Sequence, residues 1–344
     1  MGKKIGISYW GFCQQFEDCN IANTPDGLRY GRPILVDELL KRKHKVTALQ
    51  KRREPTPYPG LLYDDEGYPD LDILFVEWRW ATWKNSGPRA LESDLQRQTE
   101  LLDYYHGKIP VIALDTDLQI TAEDEKRWPE MIVADPCLDP ITLTKKRYRL
   151  TWWSDFSEFF DPAEGSVMYG YIGNNYSREK QFLKYYAAVS QSFRSVGIQT
   201  TVYGNWMLHS PERPHPREII QNYPNVAFVD RVGFCESMKV LNRFICTTHI
   251  SKEDYSRRGN VTMRFFEALA CNVPALVPAN FYAANILGKN WMVASTADVF
   301  DKVFYLMKLS KEERKDVIDE QRYNFRKYHD FHVANTVDFI ESFI

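Results

Sequence analysis

The chain has 344 residues, of which 44% are hydrophobic and 26% are charged, an ordinary composition for a soluble globular protein. Because one hydrophobic core seldom serves a chain of this length, we expect two domains. The formal net charge of −2 excludes a general attraction to polyanions. Contact with nucleic acid would have to come from local basic clusters. Residues 41–43, 51–53 and 145–147 are candidates, unless they are simply solvated helix ends and loops.

The cysteines and the start of the chain bear on its location. The six cysteines are scattered, with neither a CxxC pair nor a metal-like grouping with histidine, and this pattern fits a reducing compartment. The opening residues MGKKIGISYWGF lack an apolar signal core, and no uninterrupted apolar stretch approaches the roughly 20 residues of a membrane span. We therefore expect a cytoplasmic protein without a membrane partner.

Apolar runs alternate with helical patterns along the first half of the chain. In chain order they are KIGISYW, a helix near residues 29–43, KVTALQ, LDILFVE, a helix near residues 89–105, and IPVIAL. This alternation predicts a parallel sheet covered by helices on both faces. The acidic run WWSDFSEFFDPAEG at residues 152–165 interrupts the alternation and predicts an interdomain linker.

The same rhythm starts again after the linker. It comprises SVMYGYIG, a helix near residues 177–195, TTVYGNW, VAFVDRV, a helix near 235–242, RFICTTHI, a further helix, and VPALVP. The sequence therefore predicts an α/β protein with two doubly wound domains, spanning residues 1–160 and 166–324. The tail reads as helices, and we expect the helix at about residues 325–344 to pack back on the first domain.

Loops at the carboxyl ends of strands are the places to look for ligands in open parallel sheets, and two facing sheets would form a cleft. In YGYIGNNYSREK, residues 169–180, backbone N–H groups after the strand could hold a phosphate beside Arg178, although a plain glycine turn is an alternative. Gly204 in VYGNW could let a ligand approach the backbone. Val232 and Phe234 in FVDRVGF could sandwich a flat base or simply plug the strand end.

Two charges stand in the otherwise apolar helix within GNVTMRFFEALACNVPALVP, residues 259–278. With Asn260 or Thr262 as N-cap, Arg264 and Glu267 lie one turn apart on one face. A carboxylate offers two acceptor oxygens to the vicinal hydroxyls of a ribose, and an arginine beside it neutralises a diphosphate. A solvated intrahelical ion pair is the alternative, but the apolar neighbours favour a polar cavity.

These residues resemble those of the nucleotide-sugar glycosyltransferases of GT-B architecture, whose two Rossmann-like domains face a central cleft. Among them they are most similar to the beta-glucosyltransferases of T-even phages, which modify hydroxymethylcytosine in DNA. The likeness covers most of the second half and thins to isolated points in the first. The stretch TMRFFE, ending in Glu267, matches a family motif whose arginine meets the diphosphate and whose glutamate holds the ribose.

The resemblance implies a set of donor-binding residues. They are Gly170, Tyr171, Asn174, Arg178, Gly204, Val232, Phe234, Glu253, Arg264 and Glu267. Asn174 stands where the phage enzymes have an arginine that grips the donor phosphate, so this part of the site differs from theirs.

The run VIALDTDLQIT at residues 111–121 resembles the strand end that carries the catalytic aspartate of the phage enzymes, which implies that role for Asp117. Independently, a carboxylate at the carboxyl end of a buried strand suits a general base that deprotonates an attacking hydroxyl. Asp115 and Asp117 also spell DxD, the divalent-metal signature of the single-domain GT-A glycosyltransferases, and this leaves a Mg²⁺ or Mn²⁺ site as an alternative.

The leading hypothesis is an inverting glycosyltransferase that moves a sugar from a UDP-sugar to 5-hydroxymethylcytosine in phage DNA, as a monomer in the host cell cytoplasm. Glucose is the family prototype, while Asn174 leaves room for a pentose such as arabinose. The target base would have to flip out of the duplex, and Trp78, Trp80 and Trp83 could stack near it or serve the core. A GT-B transferase for a glycan or small-molecule acceptor is the alternative, and a non-catalytic binding module is a third possibility.

Overall fold

The computed structural model describes residues 2–8, 31–50, 58–78, 92–204, 206, 223–230, 232–328 and 331–344. The described residues form two compact units. The first contains those up to residue 155 together with 331–344, and the second contains residues 156–328. Trp80, Trp83, Asn205 and the basic cluster at 51–53 lie outside the described residues, as does the side chain of Phe234.

A parallel sheet forms the centre of the first unit. Among the described residues its strands run in the order β3-β2-β1-β4-β5-β6-β7. They are β1 (Lys4–Ser8), β2 (Lys45–Ala48), β3 (Leu62–Tyr63), β4 (Ile73–Trp78), β5 (Val111–Asp115), β6 (Ile132–Asp135) and β7 (Tyr148–Arg149). Every residue of β4 and β5 is buried. Burial on both faces explains why these strands read as continuous apolar runs.

Helices pack against this sheet. They are α1 (Gly31–Lys41), α2 (Glu92–Tyr105), α3 (Ala122–Arg127) and the C-terminal α12 (Val333–Glu341). α3 begins at a capping box in which the side chains of Thr121 and Asp124 each accept from the other residue's backbone N–H. α12 packs against α1, and Arg42, just after α1, donates to Asp338 at 2.5 Å and to Glu341 at 2.7 Å. The C-terminal segment is therefore part of the first unit.

The second unit contains two runs of parallel strands, in the orders β10-β9-β8 and β11-β12-β13. They are β8 (Met168–Ile172), β9 (Gln199–Tyr203), β10 (Val226–Val229), β11 (Thr247–Thr248), β12 (Ala275–Pro278) and β13 (Met292–Val293). Met168 forms a parallel bridge with Phe244, and its carbonyl accepts from the N–H of Ile245 at 2.7 Å. This bridge places β8 beside the chain that leads into β11.

Helices of the second unit follow most of its strands. They are α4 (Glu179–Phe182), α5 (Ala188–Ser195), α6 (Phe234–Asn242), α7 (Glu253–Arg258), α8 (Met263–Ala270), α9 (Ala284–Gly288), α10 (Thr296–Met307) and α11 (Lys311–Tyr328). A π-helical turn over Leu183–Ala187 joins α4 to α5. The doubly wound α/β class predicted from the sequence is confirmed in both units.

The strand order reverses direction once in each unit, between β1 and β4 in the first and between β8 and β11 in the second. In doubly wound sheets this switch point, at the carboxyl ends of the strands, is where ligands bind. The fold therefore directs attention to the residues that follow β8 and β11.

The environment of Trp78 decides between the two roles that the sequence left open for this residue. Trp78 is the last residue of β4, is 5% exposed, and packs edge-on against Trp128 at 5.8 Å between ring centroids. It therefore serves the core of the first unit and does not offer a stacking face to a flipped base. Within the described parts of the chain, no helix combines the length and the apolar character that crossing a bilayer requires.

Candidate functional site

The loops that follow β8, β9 and β10 are packed backbone against backbone. The N–H of Gly173 donates to the carbonyl of Tyr203 at 2.9 Å, and the N–H of Gly204 donates to that of Val229 at 3.0 Å. Gly204 has a φ of 127°, and a Cβ added there would lie 2.4 Å from the carbonyl oxygen of Gly173. Gly204 is thus required by the contact between two loops.

Gly170 and Tyr171 both lie within β8. A Cβ added at Gly170 would approach the ring of Phe244 to 2.3 Å, so this glycine makes room for a buried ring. That finding corrects the expectation that Gly170 belongs to a phosphate-binding turn. Tyr171 is buried, and its ring packs against those of Tyr186 and Trp206 at centroid distances of 5.9 and 6.0 Å.

Arg178 sits in the loop between β8 and α4, at the N-cap position of that helix. Its Nη1 donates to the carbonyl oxygen of Asn174 at 2.9 Å, which ties the guanidinium to the loop. Its Nε is buried and has no hydrogen-bond partner among the described residues. The Asn174 amide, half-buried, contacts the hydroxyl of Tyr176 at 3.3 Å. Arg178 is therefore a partly buried cation whose Nε–H group has no hydrogen-bond partner among the described residues.

Arg264 and Glu267 lie in the first two turns of α8, which starts after the N-cap residue Thr262. Arg264 Nη1 donates to Glu267 Oε2 at 2.7 Å, and the side chains are 31% and 0% exposed. Glu267 Oε1 is buried without a partner in the described structure. Burial raises the pKa of this carboxyl, although the charge and hydrogen bond of Arg264 oppose the rise. The pair is therefore not a solvated surface ion pair.

His249, which sequence reasoning missed, directly follows β11. It is 4% exposed, and its ring lies edge-on to those of Phe265 and Phe281 at 5.5 and 5.3 Å. Its Nε2 is buried with no hydrogen-bond partner among the described residues. Burial, helped by the positive charge of Arg178, lowers the pKa of His249 to about 3, so the imidazole is neutral near pH 7.

One pocket lies at the switch point between β8 and β11. Tyr171, His249 and Arg264 are among the residues that line it. Glu267 is bonded to Arg264 beside it, and Arg178 is close enough to His249 to affect its pKa. Buried polar atoms are nearly always hydrogen-bonded in folded proteins. Arg178 Nε, His249 Nε2 and Glu267 Oε1 are among the buried atoms without such a partner in the described part of the chain, and they make this region a candidate site for a polar ligand.

Of the predicted donor-site residues, Tyr171 and Arg264 are the two given by the structure as lining this pocket. Glu253 is the first residue of α7, its side chain is 83% exposed, and Lys180 Nζ lies 3.6 Å from its Oε2. Val232 is half-buried in the loop before α6. Phe234 is the first residue of α6. Their assignment to the donor site remains a prediction.

In the first unit, the two aspartates of the DxD sequence have different environments. Asp115 ends β5, is fully buried, and accepts from Arg147 Nη1 at 2.9 Å and from the N–H of Gln119 at 2.6 Å. Burial raises the pKa of Asp115 to about 6, against the lowering effect of Arg147. Asp117 lies two residues on, in the turn after β5, and is half-buried.

The environment of Asp115 argues against the DxD alternative. Its buried carboxylate is bonded to Arg147 and to the backbone N–H of Gln119, and it is therefore not available as a metal ligand. Across the described parts of the chain, no three His, Cys, Asp or Glu side chains are grouped so that they could hold a metal ion. Arg147 is also accounted for, since it binds Glu125 Oε1 at 3.0 Å as well as Asp115. Part of the basic cluster at 145–147 is therefore internal and unavailable to a nucleic acid.

Comparisons with known proteins bear on the family and the fold of the chain. Residues 178–337 match the model of a family described as glycosyl transferase-like. No curated protein sequence matches the chain. The fold is shared with a mutant of the T4 phage beta-glucosyltransferase in complex with UDP-glucose, at a TM-score of 0.64 and 15% identity over 99% of this chain and 98% of that one.

Two further structures share the fold. One is an alpha-glucosyltransferase in complex with UDP and a 13-mer DNA containing a HMU base, at a TM-score of 0.65 and 14% identity, covering 99% of this chain and 100% of that one. The other is the sucrose-phosphate synthase of Thermosynechococcus elongatus, with a TM-score of 0.59 and 10% identity. That match covers 99% of this chain and 98% of the synthase. These structures show that the chain shares the fold of GT-B glycosyltransferases, and the match to the glycosyl transferase-like family covers residues 178–337.

Proposed function

We propose that the protein is an inverting glycosyltransferase that transfers a sugar from a UDP-sugar to the hydroxymethyl group of 5-hydroxymethylcytosine in phage DNA. The observation that supports the donor half of this proposal is that buried atoms of His249, which lines the pocket, and of Glu267, which is bonded to the pocket residue Arg264, have no hydrogen-bond partner among the described residues. The fold shared with a phage enzyme bound to UDP-glucose, and with an enzyme bound to UDP and modified DNA, supports the choice of donor and acceptor.

The donor would be held through its ribose and its diphosphate. Glu267 Oε1 is buried and has no hydrogen-bond partner among the described residues, which suits a ribose hydroxyl, because a carboxylate accepts strongly from hydroxyl groups. Arg264, bonded to Glu267 through one Nη, keeps other N–H donors for a diphosphate. Arg178 brings a second positive charge. Two guanidinium groups stabilise the charge that develops on UDP as it leaves.

The chemical step would use Asp117 as general base. Its carboxylate takes the proton of the hydroxymethyl group while the hydroxyl oxygen forms a bond to the anomeric carbon of the sugar. The bond from that carbon to the diphosphate breaks at the same time, and UDP carries away the electron pair. Attack from the face opposite the leaving group inverts the anomeric configuration. Asp117 is half-buried after β5, a position that suits a base with access to substrate.

A matrix of donors and acceptors tests the proposal. UDP-glucose and UDP-arabinose, each labelled in the sugar, are incubated with DNA containing hydroxymethylcytosine, with unmodified DNA of the same sequence and with simple glycans. We expect label to enter only the hydroxymethylated DNA. A parallel series with EDTA, and with Mg²⁺ or Mn²⁺ restored, determines whether a divalent ion takes part. Label in unmodified DNA, or in none of the acceptors, would contradict the assignment.

A glycan or small-molecule acceptor is the second candidate function. The net charge of −2 favours it, since a chain without excess positive charge has little general attraction to DNA. The shared fold with a sucrose-phosphate synthase is consistent with such an acceptor. Transfer of label to a glycan, but not to hydroxymethylated DNA, would establish this alternative.

A further inference from the structure

We propose that His249 is a diphosphate-binding residue of the donor pocket, donating its imidazole N–H to a phosphate oxygen of the nucleoside diphosphate. This inference rests on the proposed function, because it assigns a contact within the same donor site. Neither the sequence motifs nor the resemblance to the phage enzymes pointed to this residue. Its position in the fold does, since it directly follows β11 at the switch point of the sheet.

The polar neighbours of His249 on its own strand are already occupied. The hydroxyl of Thr248 bonds with that of Tyr169 at 2.5 Å, and the hydroxyl of Thr247 lies 3.2 Å from that of Tyr186. His249 alone in this row keeps a buried ring nitrogen that no described residue satisfies. A buried polar atom left unpaired is costly, so we infer that a ligand supplies the partner that the described residues do not.

The charges that face the ring identify the kind of partner. Arg178, before α4, acts on His249 electrostatically, and Arg264, in α8, lines the same pocket. The nearby negative charge is Glu267, which is bonded to Arg264. A neutral N–H set beside two guanidinium groups is best matched by an anionic oxygen, because an anion accepts from the imidazole and gains from both cations. A diphosphate carries such oxygens.

Packing gives the imidazole a fixed direction. Phe265 and Phe281 contact the ring edge-on from two sides, and the residue is almost wholly buried. A donor held in place before the ligand arrives loses little rotamer freedom on binding. His249 therefore has the pre-organisation expected of a residue that positions a phosphate.

Calorimetry with three ligands tests the assignment. UDP, UMP and uridine are titrated into the wild type and into His249→Phe, which keeps an aromatic ring but has no polar atom. We expect UDP affinity to fall about tenfold or more, the effect of one lost charge-assisted hydrogen bond, while uridine affinity stays within about twofold of wild type. His249→Gln, which restores an N–H donor, should recover part of the loss. Glu267→Gln is the matched control and should weaken uridine and UDP alike.

Several outcomes overturn the inference. Unchanged UDP affinity in a folded His249→Phe variant removes His249 from the diphosphate site and leaves the proposed function standing. An equal loss for uridine and UDP shows that the ring shapes the nucleoside pocket instead. Absence of UDP and uridine binding by the wild type contradicts the proposed function itself.

A second measurement covers the case in which the variants do not fold. The wild type is labelled with ¹⁵N-histidine, and the imidazole that remains neutral at pH 6 is followed by NMR. UDP must shift its ring nitrogens and uridine must leave them in place. Equal shifts with both ligands, or no shift with UDP, contradict the proposal.

Discussion

Replacement of Glu267 by glutamine isolates the ribose contact, because the amide keeps the shape of the side chain and removes its charge. In the structure Oε2 is bonded to Arg264 at 2.7 Å, while Oε1 is buried and has no partner among the described residues. One oxygen is therefore available to a ribose hydroxyl. Hydrogen bonds to charged groups contribute about 1.5 to 3 kcal/mol, so UDP affinity should fall by roughly 10- to 150-fold. The fold should persist, because the side chain of Arg264 is 31% exposed and can be solvated.

Calorimetric titration of UDP into wild type and Glu267→Gln measures this effect, with thermal unfolding as a check on the fold. Asp319→Asn is the matched control. It removes a carboxylate from another helical ion pair, with Arg322 at 3.0 Å, in which the Asp319 side chain is 51% exposed. We expect UDP affinity to be unchanged in this control. Wild-type UDP affinity in a folded Glu267→Gln variant would show that Glu267 does not bind the ribose and serves only as the ion-pair partner of Arg264.

The other predictions concern catalysis, loop packing and acid stability. Asp117→Asn should lower transfer by roughly 10² to 10⁴ with UDP affinity near wild type, the usual contribution of a positioned base, and an unchanged rate would mean that the base lies elsewhere. Gly204→Ala should lower the free energy of unfolding by about 2 kcal/mol or more, because Gly204 has a φ of 127° and its Cβ would meet the Gly173 carbonyl. Gly197→Ala should cost less in urea unfolding, since its φ is 79° but open space surrounds it. Burial lowers the pKa of His249 from 6.5 to about 3. The unfolded chain therefore binds more protons than the native state between these values, so the free energy of unfolding decreases as the pH is lowered. Relative to His249→Gln, the wild type should lose about 2 kcal/mol in urea unfolding between pH 7.5 and 5, and parallel curves for the two proteins would contradict the buried neutral state.

The α/β architecture could be predicted from the sequence because buried parallel strands appear as continuous apolar runs. LDILFVE and IPVIAL contain β4 and β5, which are buried throughout, and a strand shielded on both faces must be apolar at nearly every position. Arg264 and Glu267 were legible for a related reason, since charge inside an apolar helix requires a polar environment. The doubly wound class therefore followed from residue pattern, and the buried environment of this ion pair agrees with the pattern, while its role in donor binding stays a prediction.

The rest of the site depends on partners that no local pattern reveals. Gly170 looked like part of a loop, but it lies within β8, where the ring of Phe244 takes the space of a side chain. Asp115 looked like half of a metal signature, yet it pairs with Arg147, 32 residues further along the chain. Such pairings are set by the packing of the sheet, so spacing in the sequence could not predict them.

His249 was missed although the rule that locates ligands at strand ends applies to it. In RFICTTHI the apolar residues suggested a buried strand, and a histidine at its end was indistinguishable from a satisfied core residue. Only the structure reveals that Nε2 has no partner among the described residues and that Arg178 and Arg264 lie near the ring. Its place after β11 was the signal that could have singled it out.

We propose that the protein joins the sugar of a UDP-sugar to hydroxymethylcytosine in DNA. Mass spectrometry of the nucleosides released from a reacted duplex tests it most directly. Duplexes with hydroxymethylcytosine or cytosine at one position are treated with wild type and a mixture of UDP-hexose and UDP-pentose, then digested to nucleosides. We expect a hydroxymethylcytosine nucleoside heavier by one hexose or one pentose, and no change in the cytosine duplex. An unmodified hydroxymethylcytosine nucleoside, in the presence of enzyme that binds UDP, would contradict it.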